Sequence, residues 1–151
     1  MKKCIFLCVV SLFLLSCDSD DSETTNTTIE TTLIGVGNLY IGSSQGVDEQ
    51  NLIINNESEW NALITLFDAA NDVSSTFTET DVDFTAFTVI VAIDQVRPNG
   101  GHLLDIAVNA NSENIVVTVT SLVPQGAATT VFTQPYHIVK IPKNTLPVIF
   151  E

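Results

Sequence analysis

Positive charge is scarce in this chain. Its 151 residues include five Lys or Arg against eighteen Asp or Glu, so the formal net charge at pH 7 is −13. Such an excess repels nucleic-acid phosphates and anionic lipid headgroups, because both carry negative charge of their own. Binding to nucleic acid is therefore excluded, and attachment to a membrane requires something other than surface charge.

Cysteine and histidine are also scarce, which limits metal and redox chemistry. The cysteines are Cys4, Cys8 and Cys17, so the chain beyond residue 17 has no thiol for a disulfide or a thiolate metal site. His102 and Asp105 are three positions apart in a predicted strand, so they point to opposite faces and cannot bind one metal ion together. His137 would have to come from another strand and recruit a further ligand. We expect no metal site and no cofactor.

The start of the chain has the features of an export signal. Lys2 and Lys3 precede an apolar run at residues 4–15, which is too short to span roughly 30 Å of hydrocarbon as a helix. The run ends in the sequence LLSC at residues 14–17, which resembles a bacterial lipobox. We therefore predict a signal peptide at residues 1–16 and a lipid anchor, of the palmitate type, on Cys17. The alternative is an ordinary signal peptide on a soluble secreted protein.

An acidic segment follows Cys17. Residues 18–32 read DSDDSETTNTTIETT and contain almost no apolar side chain, so they cannot bury enough surface to become ordered. We predict that residues 17–32 form a disordered tether. Ser19, Asp20 and Asp21 are similar to the acidic export signal that carries Bacteroidetes lipoproteins to the cell surface; solvated linker charge is the alternative. The expected location is the cell envelope, as an outer-membrane lipoprotein that this signal would expose at the surface.

Residues 33–151 have the length and patterning of a single β-rich domain. Apolar and polar residues alternate over 102–109 and 115–122, and the short polar connection between them predicts an antiparallel hairpin. Residues 87–93 are apolar on both faces, which predicts a central strand covered on both sides. Further strands are predicted at 33–41 and 51–54.

One helix is predicted at residues 57–69. Asn56 and Glu59 have the spacing of a capping box. Trp60, Leu63, Ile64 and Phe67 follow at the spacing of one helical face, which we assign to the core. The expected fold is therefore mainly β (α+β): an antiparallel sheet, sandwich-like or a partly open barrel, with one packed helix.

Two patterns suggest chemistry and have simpler explanations. Residues 42–46, GSSQG, fit the letters of the G-x-S-x-G elbow, but a strand follows where a nucleophilic Ser44 would need a helix. A glycine-serine hairpin turn is the preferred interpretation. Asp81 and Asp83 lack the spacing of a calcium loop and are interpreted as solvated charges.

Two segments are the best candidates for partner binding, because they combine glycines with residue types that anchor interfaces. They are Arg97, Pro98, Asn99, Gly100, Gly101 and His102 in the first, and Gln134, Pro135 and Tyr136 in the second. We predict that Arg97, His102 and Tyr136 lie near one partner-facing edge. The alternative is that Asn99 and Gly100 merely turn a hairpin from residue 93 into His102 and that Pro135 and Tyr136 begin a strand.

These elements also carry a resemblance. The sequence PNGGHL at residues 98–103, the hairpin after it and the run TQPYHIVKIP at 133–142 resemble the C-terminal domain of the protease-complex subunit PrcB family, over roughly residues 47–151. The helix with Trp60 and residues 82–84 also fit, whereas Asn99 and His102 stand where the family commonly has Thr and Tyr. The resemblance implies a non-enzymatic accessory subunit that binds and stabilises an envelope or surface protease.

Two other functions stay open. A Pro-x-x-Gly loop on a β domain is similar to the loops of chagasin-like protease inhibitors, which occupy a peptidase cleft. The third option is a hydrolase that uses Ser44 or the histidines.

The lipid anchor is tested by Cys17→Ala. We expect this variant to move from the membrane to the soluble fraction, because an acidic tether has no other affinity for the membrane. Cell fractionation with immunoblotting measures the change. The Asp20→Ala, Asp21→Ala double variant is the control and should stay on the membrane while losing surface accessibility. A Cys17→Ala protein that still sediments with membranes contradicts the anchor.

Overall fold

The computed structural model describes residues 26–41 and 46–151. The predicted signal peptide, Cys17, most of the predicted tether and Ser44 lie outside the described residues. In the described part of the chain, no helix is both long and apolar enough to cross a membrane.

Eight strands and one α-helix make up the described fold. In chain order they are β1 (Thr27–Thr28), β2 (Thr32–Tyr40), β3 (Gln50–Ile54), α1 (Glu57–Asn71), β4 (Phe87–Ile93), β5 (Leu103–Ala110), β6 (Ile115–Leu122), β7 (Thr133–Pro142) and β8 (Val148–Phe150). A short 3-10 helix, Val73–Thr76, follows α1.

The strands form two sheets of four strands each. One, which we call the central sheet, has the order β2-β7-β4-β3, and the other, the outer sheet, has the order β1-β5-β6-β8. The strand pairs are antiparallel except β6 with β8. The predicted β5–β6 hairpin is confirmed, with Ile106 opposite Val119. The predicted fold class is also confirmed, as a sandwich of two sheets with one packed helix.

Both faces of the central sheet are buried, as the apolar sequence of β4 predicts. Val89, Val91 and Ile93 belong to the core on the side of α1, whereas Ile90 and Ala92 belong to the core shared with the outer sheet. Successive strand residues point to opposite faces, so a strand buried on both sides must be apolar throughout. The molecule is therefore layered as helix, central sheet and outer sheet.

Helix α1 begins and packs as predicted and ends two residues later. Asn56 Oδ1 accepts a hydrogen bond from Glu59 N at 3.0 Å, which satisfies one of the free amides of the first turn. Asp72, in the left-handed conformation with φ 54°, terminates the helix. Trp60 and Phe67 are fully buried against the central sheet, and the Trp60 indole donates to Thr80 O at 2.7 Å.

Aromatic rings fill the space between α1 and β2. The ring centroids of Phe77 and Tyr136 are 6.2 Å apart, and those of Trp60 and Phe77 are 6.1 Å apart. The Phe77 ring lies directly on the backbone of Gly35, where an added Cβ atom would be 2.6 Å from Phe77 Cδ1. A residue without a side chain is needed there for the ring to approach the strand.

Three predictions about connections are wrong. Thr27–Thr28 pairs with β5 and Ile29 N donates to Val108 O at 2.9 Å, so the predicted tether ends before residue 27, not at residue 32. β2 and β3 lie at opposite edges of the central sheet, so these two strands do not form the predicted hairpin. Asn99 and Gly100 do not turn one either, because β4 and β5 belong to different sheets.

Asp83 has a local structural role beyond that of a solvated charge. Its Oδ1 accepts hydrogen bonds from Thr85 Oγ1 at 2.6 Å and from Thr85 N at 2.9 Å, which forms a turn just before β4. The hydrogen bond from the Thr85 hydroxyl is the main reason that the pKa of Asp83 lies below its usual value.

The close approach of Phe77 to β2 is tested by Gly35→Ala. The new methyl group forces the ring out of its place between Trp60 and Tyr136, and we expect a loss of about 1–3 kcal/mol in the free energy of unfolding. Val36→Ala is the matched control, since Val36 is adjacent and exposed. Denaturant unfolding measures both, and equal stability of the two variants contradicts the packing described.

Candidate functional site

Gln134, a predicted partner contact, is instead a buried residue whose side chain links three segments of the fold. We call this hydrogen-bonded arrangement of Gln134, Val47 and Asp94 the Gln134 joint. Its side chain is 0% exposed. Nε2 donates to Val47 O at 2.6 Å and to Asp94 O at 2.8 Å, while Oε1 accepts from Val47 N at 2.9 Å. One amide therefore holds the segment before β3, the end of β4 and the start of β7 together.

The hydrogen bond to Asp94 replaces one that proline cannot make. Asp94 N donates to Pro135 O at 2.9 Å, which continues the β4–β7 register one residue beyond Ile93 and Tyr136. In an antiparallel pair the return bond would run from the amide of residue 135 to Asp94 O. Pro135 has no N–H, and the side chain of Gln134 donates to Asp94 O in its place. The Gln-Pro sequence is thus a structural unit.

Tyr136 also belongs to the interior, contrary to the prediction. It is 3% exposed and packs edge-on against Phe67, with ring centroids 5.1 Å apart. Burial raises the pKa of Tyr136, because it disfavours the charged phenolate, and the nearby Thr76 hydroxyl opposes this effect. Since Tyr136 faces α1, it cannot share a partner-facing edge with Arg97 and His102. Pro135 is likewise buried.

The first predicted segment is joined to Thr133, the residue just before the second segment. Arg97 N donates to Thr133 O at 2.7 Å, Thr133 N donates to Arg97 O at 3.0 Å, and Thr133 Oγ1 donates to Asn99 O at 3.0 Å. The Arg97 side chain is held by Asp94, with Nη2 2.6 Å from Oδ2. Asp94 itself is 8% exposed, so the ion pair fixes the loop to the end of β4.

The glycines of the loop have different roles. Gly100 is buried, and an added Cβ atom would be 2.5 Å from Thr129 Oγ1. Gly101 is exposed and has φ +87°, the left-handed conformation in which the chain turns from the central sheet toward β5. Of this predicted segment, Pro98 and Gly101 are exposed, whereas Arg97, Asn99 and His102 are half-buried.

His102 lies at the junction between this loop and β2. Its Nε2 is 3.4 Å from Asn99 Oδ1, and its carbonyl accepts from Asn38 Nδ2 at 2.9 Å. Among the described residues, His102 Nδ1 and Asn38 Oδ1 are the buried side-chain atoms without a hydrogen-bond partner. His102 is therefore half-buried between the 97–102 loop and β2.

Residues 122–132, which were not predicted to take part, complete the exposed surface. Gly100 N donates to Thr129 O at 3.0 Å, so this segment lies against the 97–102 loop. Leu103 is opposite Leu122, and Ile41 N donates to Phe132 O at 3.1 Å, which brings Tyr40 to the same end. We call this surface the loop end. Its exposed large apolar side chains are Tyr40, Leu103, Leu122, Val123, Val131 and Phe132.

The loop end is nearly free of charge in a chain that is otherwise strongly acidic. Residues 98–104 and 114–139 contain no Asp, Glu, Lys or Arg. Phe132 is 55% exposed and Val123 is 61% exposed. The sequence signal for this surface is a proline- and glycine-containing segment between two strands, since long loops of this kind are often functional.

His137 lies on the same face of β7 as Val139 and Ile141 and faces the outer sheet. Its Nδ1 is 2.8 Å from Leu104 O, which fixes the ring orientation. Within residues 26–41 and 46–151, no group of three or more His, Cys, Asp or Glu side chains is arranged to hold a metal ion.

Comparisons of the chain with protein-family models, with curated proteins and with solved structures found no match. The site is therefore interpreted from its geometry and chemistry.

A double-mutant cycle tests whether the Gln134 side chain replaces the hydrogen bond that Pro135 cannot donate to Asp94 O. Gln134→Ala leaves three backbone groups unpaired, and we expect it to lower the free energy of unfolding by about 3 kcal/mol or more. In a Pro135→Ala background the loss should be smaller by about 1 kcal/mol, because the restored N–H can donate to Asp94 O. Urea unfolding measures the cycle, with exposed Gln125→Ala as control. Additive losses contradict this replacement.

Proposed function

We propose that this chain is a non-enzymatic accessory subunit that binds a protein partner through the loop end. The observation that carries the proposal is that six large apolar side chains are exposed at this one end of an acidic domain, on chain segments that contain no charged residue. Contiguous exposed apolar surface is unfavourable in water, and its presence marks interaction sites. The centre of a protein interface is likewise depleted of charged residues and enriched in aromatic ones.

The loop end is also held in place by hydrogen bonds and an ion pair. Backbone hydrogen bonds join Arg97 to Thr133 and Gly100 to Thr129, and the ion pair of Arg97 with Asp94 secures the base of the loop. A surface that is ordered before binding loses less conformational entropy when a partner docks. Phe132 and Tyr40 supply the aromatic anchors, since aromatic side chains contribute much of the binding energy at interfaces.

The nature of the partner comes from the resemblance to the PrcB family. On that basis the partner is an envelope or surface protease, which the chain binds and stabilises while its lipid on Cys17 holds it at the outer membrane. Of the Gln-Pro-Tyr part of that resemblance, Gln134 is hydrogen-bonded to Val47 and Asp94 and Tyr136 packs in the core, so neither side chain is available to a partner. Partner contact falls instead to the exposed residues of the loop end.

A second candidate is a loop-based protease inhibitor of the chagasin type. It is favoured by the two loops that lie against each other at one end of the sandwich, where they could enter a peptidase cleft together. The described residues offer no comparable observation for a hydrolase, and Ser44 lies outside them.

The loop end is tested by Val123→Ser combined with Phe132→Ser. We expect capture of the native partner, by crosslinking in intact envelopes, to weaken about thirtyfold or more because two apolar anchors are lost. Melting should stay unchanged, since both side chains are exposed. Ile149→Ser is the control, as an exposed apolar residue on β8, which pairs with the other end of β6.

The effect of the chain on the captured protein separates the functions. A peptidase that is protected or activated by the purified chain supports the accessory role, and one that is inhibited supports the second candidate. Turnover of ester or peptide substrates by the chain alone, or capture unaffected by the double variant, contradicts the proposal.

A further inference from the structure

The two edges of the central sheet differ in how they are covered. At the β2 edge, Tyr40 N donates to Asn71 Oδ1 at 2.6 Å and Asn71 Nδ2 donates to Tyr40 O at 3.1 Å. Further along, Thr78 N donates to Ile34 O at 2.9 Å. The backbone at the two ends of this edge is therefore paired, with α1 at Tyr40 and with the segment after the 3-10 helix at Ile34.

The β3 edge has no comparable cover among residues 26–41 and 46–151. β3 pairs with β4 on one side. Among the described residues no hydrogen bond involves the backbone on its other side, and just beyond the strand Asn55 N donates to Glu59 Oε2 at 3.3 Å. Its sequence, QNLII, contains no charge, proline or glycine. Natural edge strands usually carry such features to prevent pairing with another chain. β3 is thus an edge that can accept a further strand.

An apolar groove lies beside this edge, on the side of α1. It has a volume of about 440 Å³, within the range of ligand sites, and separates β3 from the helix. Leu52 and Ile54 line it from the strand, and Ala62, Leu63 and Leu66 line it from the helix, where Glu59 adds one carboxylate. Leu66 is 45% exposed, although its neighbours on the helix are core residues. The groove offers apolar contacts to side chains that project toward α1.

A polar cleft lies on the other side of β3, between the two sheets. Its volume is about 360 Å³, and Gln50 lines both this cleft and the groove. Glu49 and Asp94 contribute carboxylates to the cleft, and Ser121 contributes a hydroxyl. Asp94 is paired with Arg97, whereas Glu49 forms no ion pair among the described residues. This side therefore favours a positively charged or polar side chain.

We propose that β3 binds an extended peptide segment as a fifth strand of the central sheet, with apolar side chains alternating with Lys or Arg. Side chains of a strand point alternately to its two faces. One set would therefore enter the groove beside α1, and the other would face Glu49 in the polar cleft. The unpaired backbone of β3 would supply the main-chain hydrogen bonds, as in other cases of strand addition.

Charge selects this occupant over two others. A second copy of the chain would bring the same Glu49 and Glu59 to the edge, and the acidic N-terminal segment of the chain would add further carboxylates. Both would be repelled, whereas a Lys or Arg is attracted. The edge strand β3 and the groove against α1 contain no residue of the loop end, and the two surfaces adjoin at the cleft, where Asp94 is paired with Arg97. Leu66→Glu, in the groove, therefore tests this site without changing the surface of the proposed function.

The experiment titrates the full-length chain, in non-ionic detergent at physiological salt, into fluorescein-labelled peptide KVKVKVK and follows anisotropy. The peptide VVVKKKK has the same composition and charge without the alternation, so it measures non-specific attraction to an acidic protein. We expect the alternating peptide to bind at least about tenfold more tightly, because only it can fill both sides of β3 at once.

Two further peptides test the backbone pairing directly. Each carries N-methyl groups on one of the two alternate sets of amides, so each loses the hydrogen-bond donors of one edge. Since only one edge of an added strand faces β3, one of these peptides should retain binding and the other should lose it.

Two variants of α1 test whether the peptide binds in the groove beside this helix. Leu66→Glu should weaken binding of KVKVKVK about tenfold or more, because it removes apolar surface from the groove. Thr65→Glu adds the same charge on the exposed face of α1 and should change binding less than about twofold. Neither change should alter melting, since both positions are exposed.

Several results would overturn the proposal. They are equal binding of KVKVKVK and VVVKKKK, equal behaviour of the two methylated peptides, or no binding of any peptide up to about 1 mM. Equal effects of Leu66→Glu and Thr65→Glu would also overturn it. Sedimentation showing a dimer that Leu66→Glu dissociates would assign the edge to a second copy of the chain instead.

Discussion

The central sheet has to be covered on both faces, and the rest of the molecule follows from that constraint. β4 has no polar face to present to water, and β7 beside it is buried over most of its length. Helix α1 and the aromatic rings cover one face, and the outer sheet covers the other. Burial of this kind is the main favourable term in folding. The surfaces that these layers leave uncovered include the β3 edge and the loop end, the two surfaces that we propose bind partners.

Polar groups inside this sandwich are placed where the regular ladder stops. β4 ends at Ile93, and one residue later Pro135 interrupts the pairing, so the carbonyl of Asp94 would lack a donor. The Gln134 side chain supplies that donor and holds Val47 as well. Because buried groups without partners are costly, this joint fixes where the irregular loops begin. The interior thereby determines the position of the exposed surface.

The spacing of apolar residues predicted the strands and the helix in which each residue is clearly either buried or exposed. The alternation in β5 and the stripe of Trp60, Leu63 and Phe67 in α1 were both confirmed, because burial of one face leaves a regular pattern. The apolar residues on both faces of β4 were also enough to predict a central strand that is covered on both sides. The strand at Thr27–Thr28 was missed because two threonines in a polar segment carry no hydrophobic signal, and their pairing depends on the free edge of β5.

The candidate site was harder to predict, since residue type does not reveal exposure. Gln134 and Tyr136 belong to types that anchor interfaces, yet the fold uses them as a hydrogen-bonding joint and a core ring. Val131 and Phe132 are large apolar residues and are nonetheless exposed, because they lie just before β7 enters the sandwich. Asn99 and Gly100 favour a hairpin locally, whereas the assignment of β4 and β5 to different sheets is a tertiary property.

The difference in stability between the buried central sheet and the exposed loop beside it is measured most directly by native-state amide hydrogen exchange. The two-sided burial of the central sheet predicts that amides of β4 and β7 exchange only through global unfolding, while those of residues 125–131 exchange through local opening at least about a hundredfold faster. Equal protection of β7 and residues 125–131 would contradict it.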